Sequence, residues 1–300
     1  MMGSRRKRKG ISSVISTVVL TSVMLIIAIT VMAFANNIFS IQTDSTEFDQ
    51  AKNIVVNFAG IVDDVASKQG SSGYVRFNTR SGGPSFATYS GKITVTVTAE
   101  NNPTIPLINN KFTNLFKYKA GSYASAPGKV YLSGVNKTIL VNNEAPLGLV
   151  YTEQKDGGWV VMNFTRIGII NLGTFNFSRG LNSSGISMGY KLVNMLQVSY
   201  INITYGTSSG SGSVNSVAQC RNITTSYSWI NYSSSQNPLS SYEVTFNVKL
   251  YSSSGSIVED AVKVISVKGS DPTYKKGDQL IGIDTMIVFV NSEVQIYTIG

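Results

Sequence analysis

Five consecutive basic residues, Arg5-Arg6-Lys7-Arg8-Lys9, stop at Gly10, and from Ile11 to Ala35 the chain carries no charge at all. As a helix this apolar stretch is about 37 Å long, enough to cross a hydrocarbon core of about 30 Å. A basic flank of this kind stays on the cytoplasmic side, which sends everything after Ala35 across the membrane. No other feature constrains the fold as strongly. A segment this greasy must be covered by lipid or by other helices, and its flank sets the orientation of the remainder.

Charge elsewhere is sparse. The formal net charge is +9, yet residues 1–10 hold five of the positive charges; the rest has 20 Lys and Arg against 16 Asp and Glu. The basic balance therefore reports the flank and not a nucleic-acid surface, which needs a clustered basic face. Charged residues make up 14% of the chain, and polarity comes instead from Ser, Thr, Asn, Gly and Tyr. Cys220 is the only cysteine, so no intrachain disulfide can form, and it reads as a small buried hydrophobe. The chain has no histidine, which removes Ser-His-Asp and Cys-His catalysis and His-ligated zinc.

Three readings compete for the apolar stretch: a cleaved secretory signal, an uncleaved anchor, or a leader cut after Gly10 that leaves the whole helix on the mature protein. Ala33-Phe34-Ala35 has the small-x-small look of a secretory cleavage site, but the apolar run is longer than such signals carry. The residues that follow decide. Phe48, Ala51, Ile54, Val55, Phe58, Ile61, Val62 and Val65 recur at steps of three and one, the period of an amphipathic helix. No Gly or Pro lies between Ile11 and Ala59. One helix therefore runs over 11–69, from the membrane into a folded head, and ends near Gly70-Ser71-Ser72-Gly73.

From Tyr74 the period changes to two. Tyr74–Thr79 and Lys92–Thr98 alternate, with Ile93, Val95 and Val97 on one face. Leu149–Gln154 and Trp159–Thr165 flank Lys155-Asp156-Gly157-Gly158, a hairpin with an Asp-Gly turn. Further strands are expected over 129–132, 138–141, 166–172, 195–204, 227–232, 242–251, 261–267 and 286–298. The expected class is α+β: a long N-terminal hydrophobic helix followed by an antiparallel β-sandwich-like head over 70–300. Gly206–Ser213 is the most linker-like piece, read here as a long hairpin loop before it is read as a division of the head.

The basic run, the Lys9-Gly10 end, the Ile11-Ser12-Ser13-Val14-Ile15 start, the uncharged helix and the β-rich remainder together resemble an archaeal type IV pilin with a class III signal peptide (residues 1–10). The likeness covers residues 1–65 and rests on this layout. Bacterial members of the wider group usually carry Glu at the fifth mature position, and Ile15 stands there instead, as is common in the archaeal branch. The resemblance implies cleavage between Gly10 and Ile11 by a prepilin peptidase. It also implies a filament core built from Ile11, Val14, Ile15, Val18, Val19, Leu20, Leu25, Ile26, Ile27, Ile29 and Phe34. Its partners would be further copies of the chain in a helical homopolymer, an assembly ATPase and a membrane platform protein. The precursor would sit in the cytoplasmic membrane with its N-terminus inside, and the product would be an extracellular filament used in adhesion. A swimming-filament subunit (archaellin) and a non-polymerising, single-pass surface or S-layer-associated binding protein are the alternatives.

No catalytic constellation, metal site or cofactor site is read, and no enzyme is expected. Asp63-Asp64 falls on the polar face of the amphipathic helix and reads as solvated or ion-paired carboxylates. Seven Asn-x-Ser/Thr sites, at Asn136, Asn163, Asn176, Asn182, Asn202, Asn222 and Asn231, offer acceptors for N-glycosylation. Asn163 and Asn202 lie within expected strands, so modification there requires an outward-facing side chain. Ser12, Ser13, Ser16, Thr17, Thr21 and Ser22 either bond across neighbouring helices or bond back to their own backbone.

Overall fold

In the computed structural model the described residues are 13–78, 80–100, 102–134, 138–142, 145–178, 190–208, 213–232, 238–276 and 278–300. One helix, α1 (Ser13–Ala66), opens the chain, and its 54 residues span about 80 Å. The helix stops where its apolar period stops. Gly70 adopts φ +81°, a conformation that costs glycine nothing, and the Ser71 hydroxyl donates to the terminal carbonyl of Val65 at 2.9 Å.

Among the described residues fifteen strands follow: β1 (Ser72–Asn78), β2 (Gly83–Ala99), β3 (Ile105–Lys119), β4 (Val130–Ser133), β5 (Leu140–Asn142), β6 (Leu149–Gln154), β7 (Gly158–Asn163), β8 (Ile167–Ser178), β9 (Tyr190–Ser208), β10 (Ser213–Ile230), β11 (Ser241–Ser252), β12 (Ile257–Lys268), β13 (Ser270–Lys276), β14 (Gln279–Gly282) and β15 (Asp284–Ile299). They form a six-stranded sheet in the order β1-β10-β15-β9-β8-β5 and a seven-stranded sheet in the order β12-β11-β2-β3-β7-β6-β4. The pair β13-β14 stands apart as a small ribbon.

Most ladders are antiparallel, as expected. Two are not: β15 runs parallel to β9, and β5 runs parallel to β8. The β9–β10 connection is the second correction. β9 and β10 are not hairpin partners, because β15 lies between them; residues 209–212 of the expected hairpin loop Gly206–Ser213 lie outside the described residues. Ladder bonds satisfied by a distant segment leave no local trace in the loop. The hairpin at Lys155–Gly158 does form between β6 and β7. Asp156 and Gly157 take φ values of 50° and 113°, as a tight turn with left-handed residues requires.

The long strands serve two cores on opposite faces. In β9, Leu196, Val198 and Tyr200 point into a distal core, whereas Ile201 and Ile203 join a core around α1. In β15, Ile287 belongs to the distal core, and Val294 and Ile296 to the helix core. β2 and β3 divide likewise. Ile93, Val95, Val97 and Ile108 are distal; Phe116 and Tyr118 face the helix core, with half-buried Phe86 packed against it. The curl is assisted by bulges, at Tyr89 and Asn110 (φ 53° and 46°) in the β2–β3 ladder and between Cys220 and Asn222 in β10. Both sheets contribute to each core, and both draw strands from before and after residues 206–213.

Candidate functional site

The helix divides into two halves with opposite surroundings. Val14, Ile15, Val18, Val19, Leu20, Leu25, Ile26, Ile27, Ile29 and Phe34 are exposed, from 56% upward, on every face of the helix. The exposed apolar series continues through Ile38, Phe39 and Ile41. Ile11 and Gly10 lie outside the described residues. The helix is long and apolar enough to cross a membrane. Its hydroxyls add little polarity to that surface. Thr21 donates to the carbonyls of Thr17 and Val18, Ser22 to Val18, and Thr30 to Ile26, all at 2.8–3.0 Å. These three side chains bond back to their own turn of helix.

From Phe48 onward the same helix is inside the head. Phe48, Ala51, Val55, Phe58, Ala59, Val62, Val65 and Ala66 are buried among residues of both sheets. Phe58 meets Phe116 edge-to-face with ring centroids 5.2 Å apart. The packed face is the one whose period was legible in the sequence, with Ile54 and Ile61 half-buried at its margins.

Two carboxylates hold this half in place. Asp44 stands where the helix enters the head and is buried. One oxygen accepts from the Ser81 hydroxyl at 2.6 Å, and the other accepts from the Tyr123 N–H at 3.0 Å. Gly121 makes room for it, since a Cβ there would collide with both the Asp44 carboxylate and the Ser81 hydroxyl. About five turns further on, Asp63 accepts from the N–H groups of Leu147 and Gly148 at 3.1 and 3.2 Å. Burial pushes its carboxyl up to about 6, with the neighbouring Asp64 adding to the rise, while the two N–H groups and Arg166 pull the other way. At the helix end the buried Ser292 hydroxyl donates to the Ala66 carbonyl at 2.7 Å. Asp63 thus departs from the expectation of a solvated carboxylate, because the segment before β6 folds over it; Asp64 is exposed. Asp44 was not singled out by pattern at all. A polar residue on a helix gives no signal of which loop will reach it.

The acceptor asparagines are scattered. Asn176, Asn222 and Asn231 are exposed, and Asn163 is half-buried with its amide oxygen accepting from the Thr165 N–H at 2.8 Å. Asn202, in β9, is 8% exposed, so its side chain does not face outward as modification there requires. Asn136 and Asn182 lie outside the described residues. Cys220 is buried, and burial raises its thiol, as befits a small core side chain. Comparison with protein-family models, with curated proteins and with solved structures gives no match.

Proposed function

We propose that this chain is a structural subunit of an archaeal type IV pilus-like filament. Gly10 marks the cleavage point, Ile11 becomes the new N-terminus, and helices of neighbouring copies replace lipid around residues 11–41. The head, read as a sandwich-like coat, faces the medium and serves adhesion. A prepilin peptidase, an assembly ATPase and a membrane platform protein are the implied partners.

One observation carries this reading. Exposed apolar side chains run from Val14 to Ile41, the last of them, Ile38, Phe39 and Ile41, set among Asn36, Asn37 and Ser40; that is about 42 Å of helix against a hydrocarbon core of about 30 Å. A bilayer covers most of that length, and the remaining dozen ångströms need another cover. Copies of the same helix supply one with matched length and chemistry. The seating of 48–66 in the head supports the reading further, because a helix rigidly tied to its head sets the head's position on a filament. Single-pass anchoring needs neither the excess length nor the rigid tie. Exchange of lipid for helix swaps one apolar contact for another, so subunits can leave the bilayer as the bundle grows.

The test is direct. Material sheared from the cell surface and sequenced from its N-terminus should begin at Ile11, and electron microscopy should show filaments of this chain. Gly10→Leu should abolish both. Surface material that begins at Met1 or Asn36, or filaments that persist in Gly10→Leu, would overturn the proposal.

A further inference from the structure

A cleft of about 240 Å³ opens on the head, lined by residues far along the chain from the helix. One wall is made by β4 and β6, where Tyr131 and Tyr151 approach with ring centroids 5.9 Å apart. The Lys129 ammonium sits 5.3 and 4.8 Å from those two ring centres and forms no ion pair among the described residues. The opposite wall is the β11–β12 hairpin with Tyr251. The floor is formed where β2 bulges away from β3, by the buried Thr113, the half-buried Asn163 amide and the buried Thr165. Gly91 lets the hairpin close on this floor; a Cβ there would collide with the Tyr251 carbonyl.

The chemistry of this lining is specific. Aromatic faces, hydroxyls and an amide surround a space at the small end of ligand clefts, suited to one sugar ring. The charges are unequal. Lys129 and Arg166 line the cleft against a single carboxylate, Glu259, which already accepts from the Ile139 N–H at 2.7 Å. Arg166 is buried, donates to the carbonyls of Thr138 and Pro146 and has the carboxylates of Asp63 and Glu259 near it, so the exposed Lys129 is the cation that a ligand meets. Burial and the neighbouring Glu153 push the Tyr151 hydroxyl up to about 12, which keeps it a neutral donor.

We infer that this cleft binds a saccharide unit bearing a carboxylate, with the ring stacked on Tyr151 and Tyr131 and the carboxylate at Lys129. Such a site would give the head a chemical target of its own. It needs no polymer, so single chains held in detergent test it whether or not the chain assembles.

The experiment is a titration of the detergent-solubilised full chain with sodium glucuronate, sodium galacturonate and N-acetylneuraminate, alongside neutral methyl glucoside, followed by saturation-transfer NMR. At least one acidic sugar should bind saturably at millimolar concentration, about tenfold more tightly than methyl glucoside, a difference of one charged contact. Lys129→Ala removes an exposed side chain and should weaken that binding about tenfold while leaving the thermal midpoint in place. Tyr251→Ala, on the facing wall, should weaken it as well. The inference fails if none of the three acidic sugars binds, if methyl glucoside binds as tightly, or if Lys129→Ala binds unchanged. It also fails if mass spectrometry finds a glycan on Asn163, which would fill the cleft with the chain's own sugar.

Discussion

The two halves of α1 are equally helical and have opposite fates. Residues 14–41 bury nothing, whereas the half beginning at Asp44 and Phe48 is the axis of a core. The difference is one of pattern. In the first half apolar residues occupy every face, so no orientation buries them all against a sheet, and only a surrounding medium or a ring of neighbours will do. In the second they occupy one stripe, and Asn53, Asn57 and Asp64 remain exposed on the other side. Helix propensity is common to both; the distribution of apolar side chains around the axis decides where each half goes.

Substitutions should separate the halves by readout. The largest effect is expected from Phe58→Ala. It opens a cavity against Phe116 and should cost about 3–5 kcal/mol of head stability in denaturant unfolding. Ile26→Lys should leave that unfolding curve where it was. Instead it should cost about 3 kcal/mol in membrane insertion and, if the proposed filament forms, remove it from sheared material seen by microscopy. A head destabilised by Ile26→Lys would break the comparison.

Next comes pH. The unfolded Asp63 carboxyl loses its proton near 3.8, and the folded one near 6. Between those values only the folded chain holds the proton. The associated stabilisation is therefore complete below pH 3.8 and is lost as pH rises to about 6, at most ~3 kcal/mol across the window. Unfolding midpoints measured at pH 3.5 and 7 should show this loss, and Asp63→Asn should remove its share of the slope. The smallest expected effect is at the helix entry. Asp44→Ala leaves the Ser81 hydroxyl and the Tyr123 N–H without their acceptor and should cost about 2 kcal/mol; Asp44→Asn, which keeps an acceptor, should cost less.

Much of this was legible in the chain. The helix, its end before Gly70, its packed face and the Asp156-Gly157 turn are all local, set by spacing and by one or two residues with special backbone needs. The strand over 105–119 was not read, because Pro103, Pro106 and the Asn109-Asn110 pair look like loop; the last two sit at the irregular part of the ladder. The first half of β10 carries no strand signal either. Its Ser, Asn and Gln residues lack a greasy alternation, and it is held by backbone pairing to β1 on one side and β15 on the other. Glu259 and Arg166 gave no sign of lining the same cleft, being far apart in sequence.

By itself, then, the sequence determined an uncharged, all-round apolar helix with a basic flank, its continuation into a head and the β character of that head. These follow from side-chain period and backbone preference, which act over a few residues. The tertiary structure alone decided that β15 inserts between β9 and β10, that long strands turn opposite faces to two cores, that Asp63 is held beneath the segment before β6, and that Lys129 lies over two tyrosines. Each depends on which distant strand supplies a hydrogen-bonding edge, and peptide groups offer the same edge everywhere along the chain. The choice among edges is made by the fit of side chains across the sheets, which no single stretch of sequence contains.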